Sequence, residues 1–157
     1  MADFDIAFKK VIIFEGGYID DKDDKGGETK FGISKRSFPN IDIRELTLNN
    51  AKQIYKENYW NKIKGDLIDD QDIANNIFDC SVNCGSSTSI RLLQKVINVK
   101  IDGILGSITL GSLNKKDPVC VINMFKNERV KYYIDVCKKR KQDKKFFFGW
   151  IKRTLEV

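Results

Sequence analysis

The chain has 157 residues, about one domain by length, and its 41% hydrophobic and 32% charged residues exclude both a disordered and a membrane-embedded chain. It contains no histidine, which excludes a Ser-His-Asp triad, a Cys-His dyad and an HExxH zinc site. Acid–base chemistry must therefore come from Asp, Glu, Lys, Tyr or Cys. The net charge of +6 favours polyanionic partners.

The sequence also lacks long apolar segments and closely paired cysteines. No apolar run reaches the roughly 18 residues of a spanning helix, so we expect no integral membrane segment. The N-terminus shows no hydrophobic region of a signal peptide, so we expect synthesis in the cytoplasm without one. The four cysteines form no CxxC pair, and we expect reduced, buried thiols with no metal and no cofactor.

Taken in chain order, helical periodicity predicts a first helix over residues 4–15, ended by Gly16 and Gly17. Residues 20–30 are polar or glycine and predict a loop, and residues 29–34 (TKFGIS) predict a small β-hairpin. Caps and apolar spacing predict further helices at 47–59, from 70 or 72 to 84, and at 89–99, 107–113, 118–139 and 146–154. The predicted fold class is therefore mainly α with one small β-hairpin.

Glu15 is the first candidate for chemistry. It lies on the apolar stripe of the first predicted helix and at its C-terminal end. Apolar surroundings and the negative end of the helix dipole both favour the neutral carboxylic acid, which is the form a general acid needs. The alternative is an ordinary exposed glutamate at a helix end.

The loop after Glu15 is rich in carboxylates. In both registers of an EF-hand calcium loop, lysines fall on ligand positions and no glutamate stands at the last one, so calcium is disfavoured. A second, solvated carboxylate near a semi-buried one is instead the arrangement that glycoside hydrolysis requires. The loop carboxylates are Asp20, Asp21, Asp23, Asp24 and Glu28.

The segment EGGYIDDKDDKGGETKFGIS, from Glu15 to Ser34, is the first of several blocks that carry a family resemblance. Together and in order, these blocks resemble glycoside hydrolase family 108, the lysozyme-like N-acetylmuramidases. Lys22 and Lys25 stand where the family typically has prolines, a departure that affects the stiffness of the loop more than its chemistry. The later blocks are YWNKIKGD, IANNIFDCSVNCG, LLQKVINVKIDGILGSITL, NERVKYY and FFGWIKR.

The resemblance implies a mainly α, lysozyme-like fold that cleaves the β-1,4 bond between N-acetylmuramic acid and N-acetylglucosamine, with Glu15 as the catalytic acid. Phage-type lysozymes, which are more loosely similar, have an Asp nine residues after the Glu and then a Thr in the next strand. Asp24 and Thr29 stand at those positions and would place the attacking water, with Asp21 as the runner-up to Asp24. The two carboxyl groups should then lie roughly 6.5–9.5 Å apart, the spacing of an inverting enzyme.

The remaining expectations concern substrate and organisation. Tyr18, Asp21, Tyr59 and Asn83 are candidate substrate-binding residues, although Asn83 is as well explained by a structural hydrogen bond. The resemblance implies a catalytic segment at 1–88 and a peptidoglycan-binding helical segment at 89–157, packed together as one unit.

We expect a monomer whose partner is peptidoglycan and not nucleic acid, since no nucleic-acid-binding module is recognised. It would act on the cell wall, in the periplasm or outside the cell, after release by a holin or a dedicated exporter, in phage lysis or in protein or toxin release. Two rival functions stay open at this point. A lytic transglycosylase would leave anhydro ends, and a non-catalytic wall-binding secretion helper would leave the wall uncut.

Overall fold

The structure, a computed structural model, describes residues 1–17 and 28–157. Within these two ranges the chain forms seven α-helices and one two-stranded antiparallel hairpin. The prediction of a mainly α fold with one small β-hairpin is therefore confirmed. No helix in the described ranges is long and apolar enough to cross a membrane.

Helix α1 spans Phe4–Ile12 and is capped by Asp3, whose side chain accepts hydrogen bonds from two backbone amides of the first turn. It ends three residues earlier than predicted. The backbone amides of Phe14 and Glu15 bond to the carbonyls of Val11 and Ile12, three residues earlier, so the chain continues as turns and not as α-helix. Glu15 therefore follows the helix and does not lie on its apolar stripe, so that part of the prediction is wrong.

The hairpin consists of β1, Thr29–Lys30, and β2, Ile33–Ser34. Its two turn residues, Phe31 and Gly32, have φ angles of 52° and 72°. Positive φ at both central positions gives a turn whose twist matches that of the paired strands. The turn lets Ile33 enter the core while Thr29 stays half-buried.

Helix α2, Leu48–Tyr55, begins at the predicted cap Thr47 and continues into a π-helical turn, Lys56–Trp60. Tyr55 lies on its buried face. Leu48, in its first turn, is 48% exposed. The first turn of the helix faces solvent.

Helix α3, Gln71–Cys84, lies at the centre of the fold. It begins at the cap Asp70 and ends at Gly85, whose φ of 88° suits glycine. Every residue from Ile73 to Ser81 is buried, because α3 packs against α1 on one side and against later helices on the other. Polar residues within this stretch must therefore find partners inside the protein.

The remaining helices follow the predicted order. The long helix α6 contacts α3, α4 and α7. Its inward residues recur every four positions, and Arg129 occupies one of them among apolar and aromatic neighbours. The elements are α4, Ser86–Ile97; α5, Ser107–Leu113; α6, Pro118–Lys139; a 3-10 turn, Lys141–Phe146; and α7, Phe147–Glu156.

Candidate active site

The carboxylate of Glu15 pairs with Arg153 of α7. Glu15 Oε1 lies 2.7 Å from Arg153 Nη1, and the two side chains are 15% and 11% exposed. The ring of Phe14 lies under the same guanidinium, with its centroid 5.2 Å from Arg153 Cζ. Glu15 is thus a nearly buried carboxylate whose charge is balanced by a residue 138 positions away in the chain.

The other oxygen of Glu15 faces the hairpin turn. A Cβ at Gly32 would collide with Glu15 Oε2 and would come within 2.6 Å of the Tyr55 hydroxyl. Tyr55 in turn donates a hydrogen bond of 3.0 Å to the carbonyl of Phe31. Gly32 is therefore needed both for its positive φ and for the close approach of the carboxylate.

Arg153 also binds a second carboxylate. Its Nε donates to Asp79 Oδ1 at 2.7 Å, and Asp79 Oδ2 lies 2.7 Å from Arg129 Nη2. The contact between Asp79 Oδ2 and Arg129 Nη2 is an ion pair that lacks the geometry of a hydrogen bond. Neither of these two atoms has a hydrogen-bond partner in the described chain. Positive and negative groups alternate along the row Arg129, Asp79, Arg153, Glu15, which we call the ion row.

The ion row is fully buried at its inner end. Asp79 and Arg129 are both 0% exposed. Burial alone would lower the pKa of Arg153, but the carboxylates of Asp79 and Glu15 outweigh burial and raise it. Arg153 therefore stays charged at any working pH and holds Glu15 Oε1 at a fixed place.

Two tyrosines complete the surroundings of Glu15. Burial raises the pKa of Tyr59, and the negative charge of Glu15 raises it further. The same two causes raise the pKa of Tyr55 far above its usual range. The ring centroids of Tyr55 and Tyr59 lie 5.6 Å apart. Both phenols are close enough to Glu15 for its charge to affect their pKa values. Tyr59 lies on the π-helical turn, and Tyr55 lies just before it.

Comparison with known proteins now adds to this geometry. Residues 8–85 match the sequence model of the family Glycosyl hydrolase 108, and residues 88–155 match that of the family Predicted Peptidoglycan domain. No curated protein sequence matches significantly. A solved structure, "Structure of Brucella abortus SagA", matches with a TM-score of 0.83 and 30% identity, over 96% of this chain and 88% of that one. The chain belongs to glycosyl hydrolase family 108.

Family membership gives the coarse function. This family 108 protein is a glycoside hydrolase of lysozyme-like type that acts on peptidoglycan. The ion row joins the two matched regions, because Glu15 and Asp79 lie in the hydrolase region whereas Arg129 and Arg153 lie in the peptidoglycan region. Within the ion row, the hydrolase region thus supplies both carboxylates and the peptidoglycan region supplies both guanidinium groups.

Asn83 connects to the same network from the other side. Its Oδ1 accepts a 2.9 Å hydrogen bond from the hydroxyl of Tyr133, which itself accepts one from Arg129 Nε at 2.8 Å. Tyr133 stacks on Trp150 at 4.9 Å between ring centroids. A small pocket of about 50 Å³ adjoins Asn83 and Trp150. The carbonyl end of Asn83 is therefore engaged by α6.

The structure places only some of the predicted site residues. Tyr18, Asp21 and Asp24 lie outside the described residues. Thr29 begins the hairpin whose turn touches Glu15, and Tyr59 lies near Glu15 as described. The predicted assignments of Asp24 and Thr29, and of the substrate-binding residues, stay predictions.

Sequence reasoning missed Asp79, Arg129 and Arg153. A signal for each was present, since each is a charged residue at an apolar position of its helix: Asp79 within IANNIFDC, Arg129 four residues from Phe125 and from Tyr133, and Arg153 three residues after Trp150. Which carboxylate pairs with which guanidinium depends on helix packing across 50 and 74 residues, and spacing does not encode that.

Proposed function

We propose that this protein is an N-acetylmuramidase that hydrolyses the β-1,4 bond between N-acetylmuramic acid and N-acetylglucosamine, with Glu15 as the general acid. The observation that carries the proposal is the nearly buried Glu15 carboxyl, fixed by Arg153 on one oxygen and seated at Gly32 with the other. A glutamate that served only as a polar group on the protein surface would need neither contact.

In the proposed reaction, Glu15 delivers its proton to the glycosidic oxygen as the bond to the anomeric carbon breaks. Arg153 keeps the carboxyl in place, and after proton transfer its positive charge stabilises the carboxylate that forms. Asp24 removes a proton from water, and Thr29 orients that water, as the oxygen adds to the anomeric carbon. Tyr18, Asp21, Tyr59 and Asn83 would contact the sugars.

The segment 89–157 has a second role in this proposal besides contact with the wall. Its residues Arg129 and Arg153 complete the surroundings of the general acid. We therefore expect residues 1–88 alone to lack activity even where the wall is supplied in excess. Release to the wall by a holin or an exporter belongs to the same proposal.

Mass spectrometry of soluble fragments from purified peptidoglycan tests the proposal. We expect reducing N-acetylmuramic acid ends from the wild type and none from Glu15→Gln. Anhydro ends that depend on Glu15 would replace the hydrolase with a lytic transglycosylase. Equal amounts of fragments from both proteins would remove Glu15 from catalysis, and no fragments from either would leave a wall-binding helper.

A further inference from the structure

The outer end of α6, the 3-10 turn and the start of α7 form a surface that the proposed reaction does not use. Residues 138–148, KKRKQDKKFFF, contain six cations and one acid. All six cations are exposed. We call residues 138–148 the basic aromatic surface.

Most of this positive charge is unpaired within the described chain. Lys138 pairs with Asp135 at 3.6 Å, and Arg140 pairs with Asp143 at 2.9 Å. The other four lysines have no ion-pair partner among residues 1–17 and 28–157. They are Lys139, Lys141, Lys144 and Lys145.

Large apolar groups are exposed among these cations. Phe148 is 84% exposed and Phe146 is 48% exposed. The ammonium group of Lys145 lies 4.9 Å from the centre of the Phe146 ring. An open groove of about 360 Å³ runs between α6 and α7, lined by Ile134, Cys137, Lys138, Lys144, Phe147 and Phe148.

The exposed face of α7 continues the same pattern. Phe148, Lys152 and Leu155 follow one another at helical spacing and all point outward, with Leu155 67% exposed. Arg153 and Trp150 lie on the opposite, inward face of this helix. A partner on the outer face would therefore leave the surroundings of Glu15 free.

We propose that the basic aromatic surface docks the protein onto an anionic lipid bilayer. Exposed cations are attracted to the negative headgroups. The Phe148 ring and Leu155 enter the boundary between the headgroups and the acyl chains. The flexible lysine side chains keep their ammonium groups at the level of the headgroups. A soluble polyanion would satisfy the cations but would leave the Phe148 ring in water. The combination of charge with exposed rings therefore selects a lipid surface.

Flotation with vesicles tests this proposal on the full-length protein. We expect binding to equimolar phosphatidylglycerol and phosphatidylcholine, none to phosphatidylcholine alone, and release as salt rises. Phe148→Ser should weaken binding to anionic vesicles about tenfold. Lys144→Gln combined with Lys145→Gln should weaken it by about tenfold or more at low salt.

Matched controls lie elsewhere on the surface. Ile108→Ser removes a side chain that is 80% exposed on α5, and Lys115→Gln with Lys116→Gln removes two exposed lysines after it. Both controls should bind vesicles like the wild type. All these variants should keep the wild-type melting temperature and rate on soluble peptidoglycan fragments.

Four results would overturn the proposal. The wild type could fail to bind anionic vesicles, or Phe148→Ser could bind as well as Ile108→Ser. A dimer that forms with rising concentration, disappears in Phe148→Ser and excludes vesicles would assign the surface to a second copy of this chain. Binding to soluble polyphosphate that exceeds vesicle binding and ignores Phe148→Ser would assign it to a soluble polyanion.

Discussion

The two faces of the α6–α7 pair use positive charge in opposite ways. On the inner face, Arg129 and Arg153 are buried, paired with carboxylates and fixed in place. On the outer face, cations such as Lys144 are exposed to water and form no ion pair in the described chain. Burying an ion pair costs desolvation free energy but fixes the positions of its side chains. An exposed cation costs little desolvation and attracts anionic partners over a longer distance. In the proposed reaction the inner face positions the Glu15 carboxyl, whereas the outer face suits an interaction partner.

The difference between the two faces predicts its largest effect on stability at Asp79. Asp79→Asn leaves two buried guanidinium groups without their shared anion, and we expect the free energy of unfolding to fall by about 3–5 kcal/mol. Urea denaturation measures the change. The matched control is Asp135→Asn, the same substitution on the outer face, where Asp135 is exposed and pairs with Lys138. There we expect a change of less than about 0.5 kcal/mol, and equal effects at the two sites would contradict the distinction.

Gly32 tests the second contact of Glu15. Gly32→Ala strains a positive φ and displaces Glu15 Oε2, so we expect a loss of about 1–3 kcal/mol in stability and a clear fall in the rate of wall hydrolysis. Gly149→Ala is the control, because that helical glycine of α7 is exposed and has open space around it. It should stabilise the protein by about 0.5–1 kcal/mol. A harmless Gly32→Ala would show that the carboxylate does not need the hairpin.

Alkaline pH tests the inner surroundings of Glu15 through Tyr59. Its raised pKa means that the folded protein favours the neutral phenol, so this contribution to stability is complete below about pH 10, the unfolded value. It is lost as pH rises through the higher folded value. We expect Tyr59→Phe to lose less stability than the wild type between about pH 9 and about pH 11. Parallel pH curves for the two proteins would refute the burial argument.

The outer face should have the smallest effect on stability. Lys144→Gln combined with Lys145→Gln should change the free energy of unfolding by less than about 0.5 kcal/mol, because both lysines are exposed and neither forms an ion pair in the described chain. The salt dependence of binding to anionic envelope material should nevertheless decrease, as measured by sedimentation at several ionic strengths. A large destabilisation would show that the outer face has a structural role.

Sequence alone predicted most of the fold, because periodicity and caps are local. Thr47, Asp70 and Pro118 all mark helix starts where the structure has them. The end of α1 was misplaced because two glycines after Glu15 suggested a later stop, whereas the chain leaves the helix after Ile12. Local signals give the existence of elements more reliably than their ends.

The candidate site was predictable in part. Glu15 was identified from its place on the apolar stripe and at the end of the first predicted helix, and from the family resemblance, but the expected apolar surroundings proved to contain Arg153. A guanidinium 138 residues away can be placed beside a carboxylate only by tertiary packing, here that of α7 against α6. The direction of the Arg129 side chain depends on the same packing.

The measurement that tests this account most directly is the hydrolysis rate of Arg153→Gln on purified peptidoglycan, with binding to the same wall measured in parallel. Asp79 keeps Arg129 as its partner in this variant, so the protein should fold, which a melting curve checks. We expect wall binding to persist while the rate falls about 100-fold, because the general acid loses its fixed position. Arg153→Lys should restore only part of the rate, since one ammonium group cannot bridge Glu15 and Asp79 as the guanidinium does. A folded Arg153→Gln protein that hydrolyses the wall at the wild-type rate would contradict the central claim that α7 positions the catalytic acid.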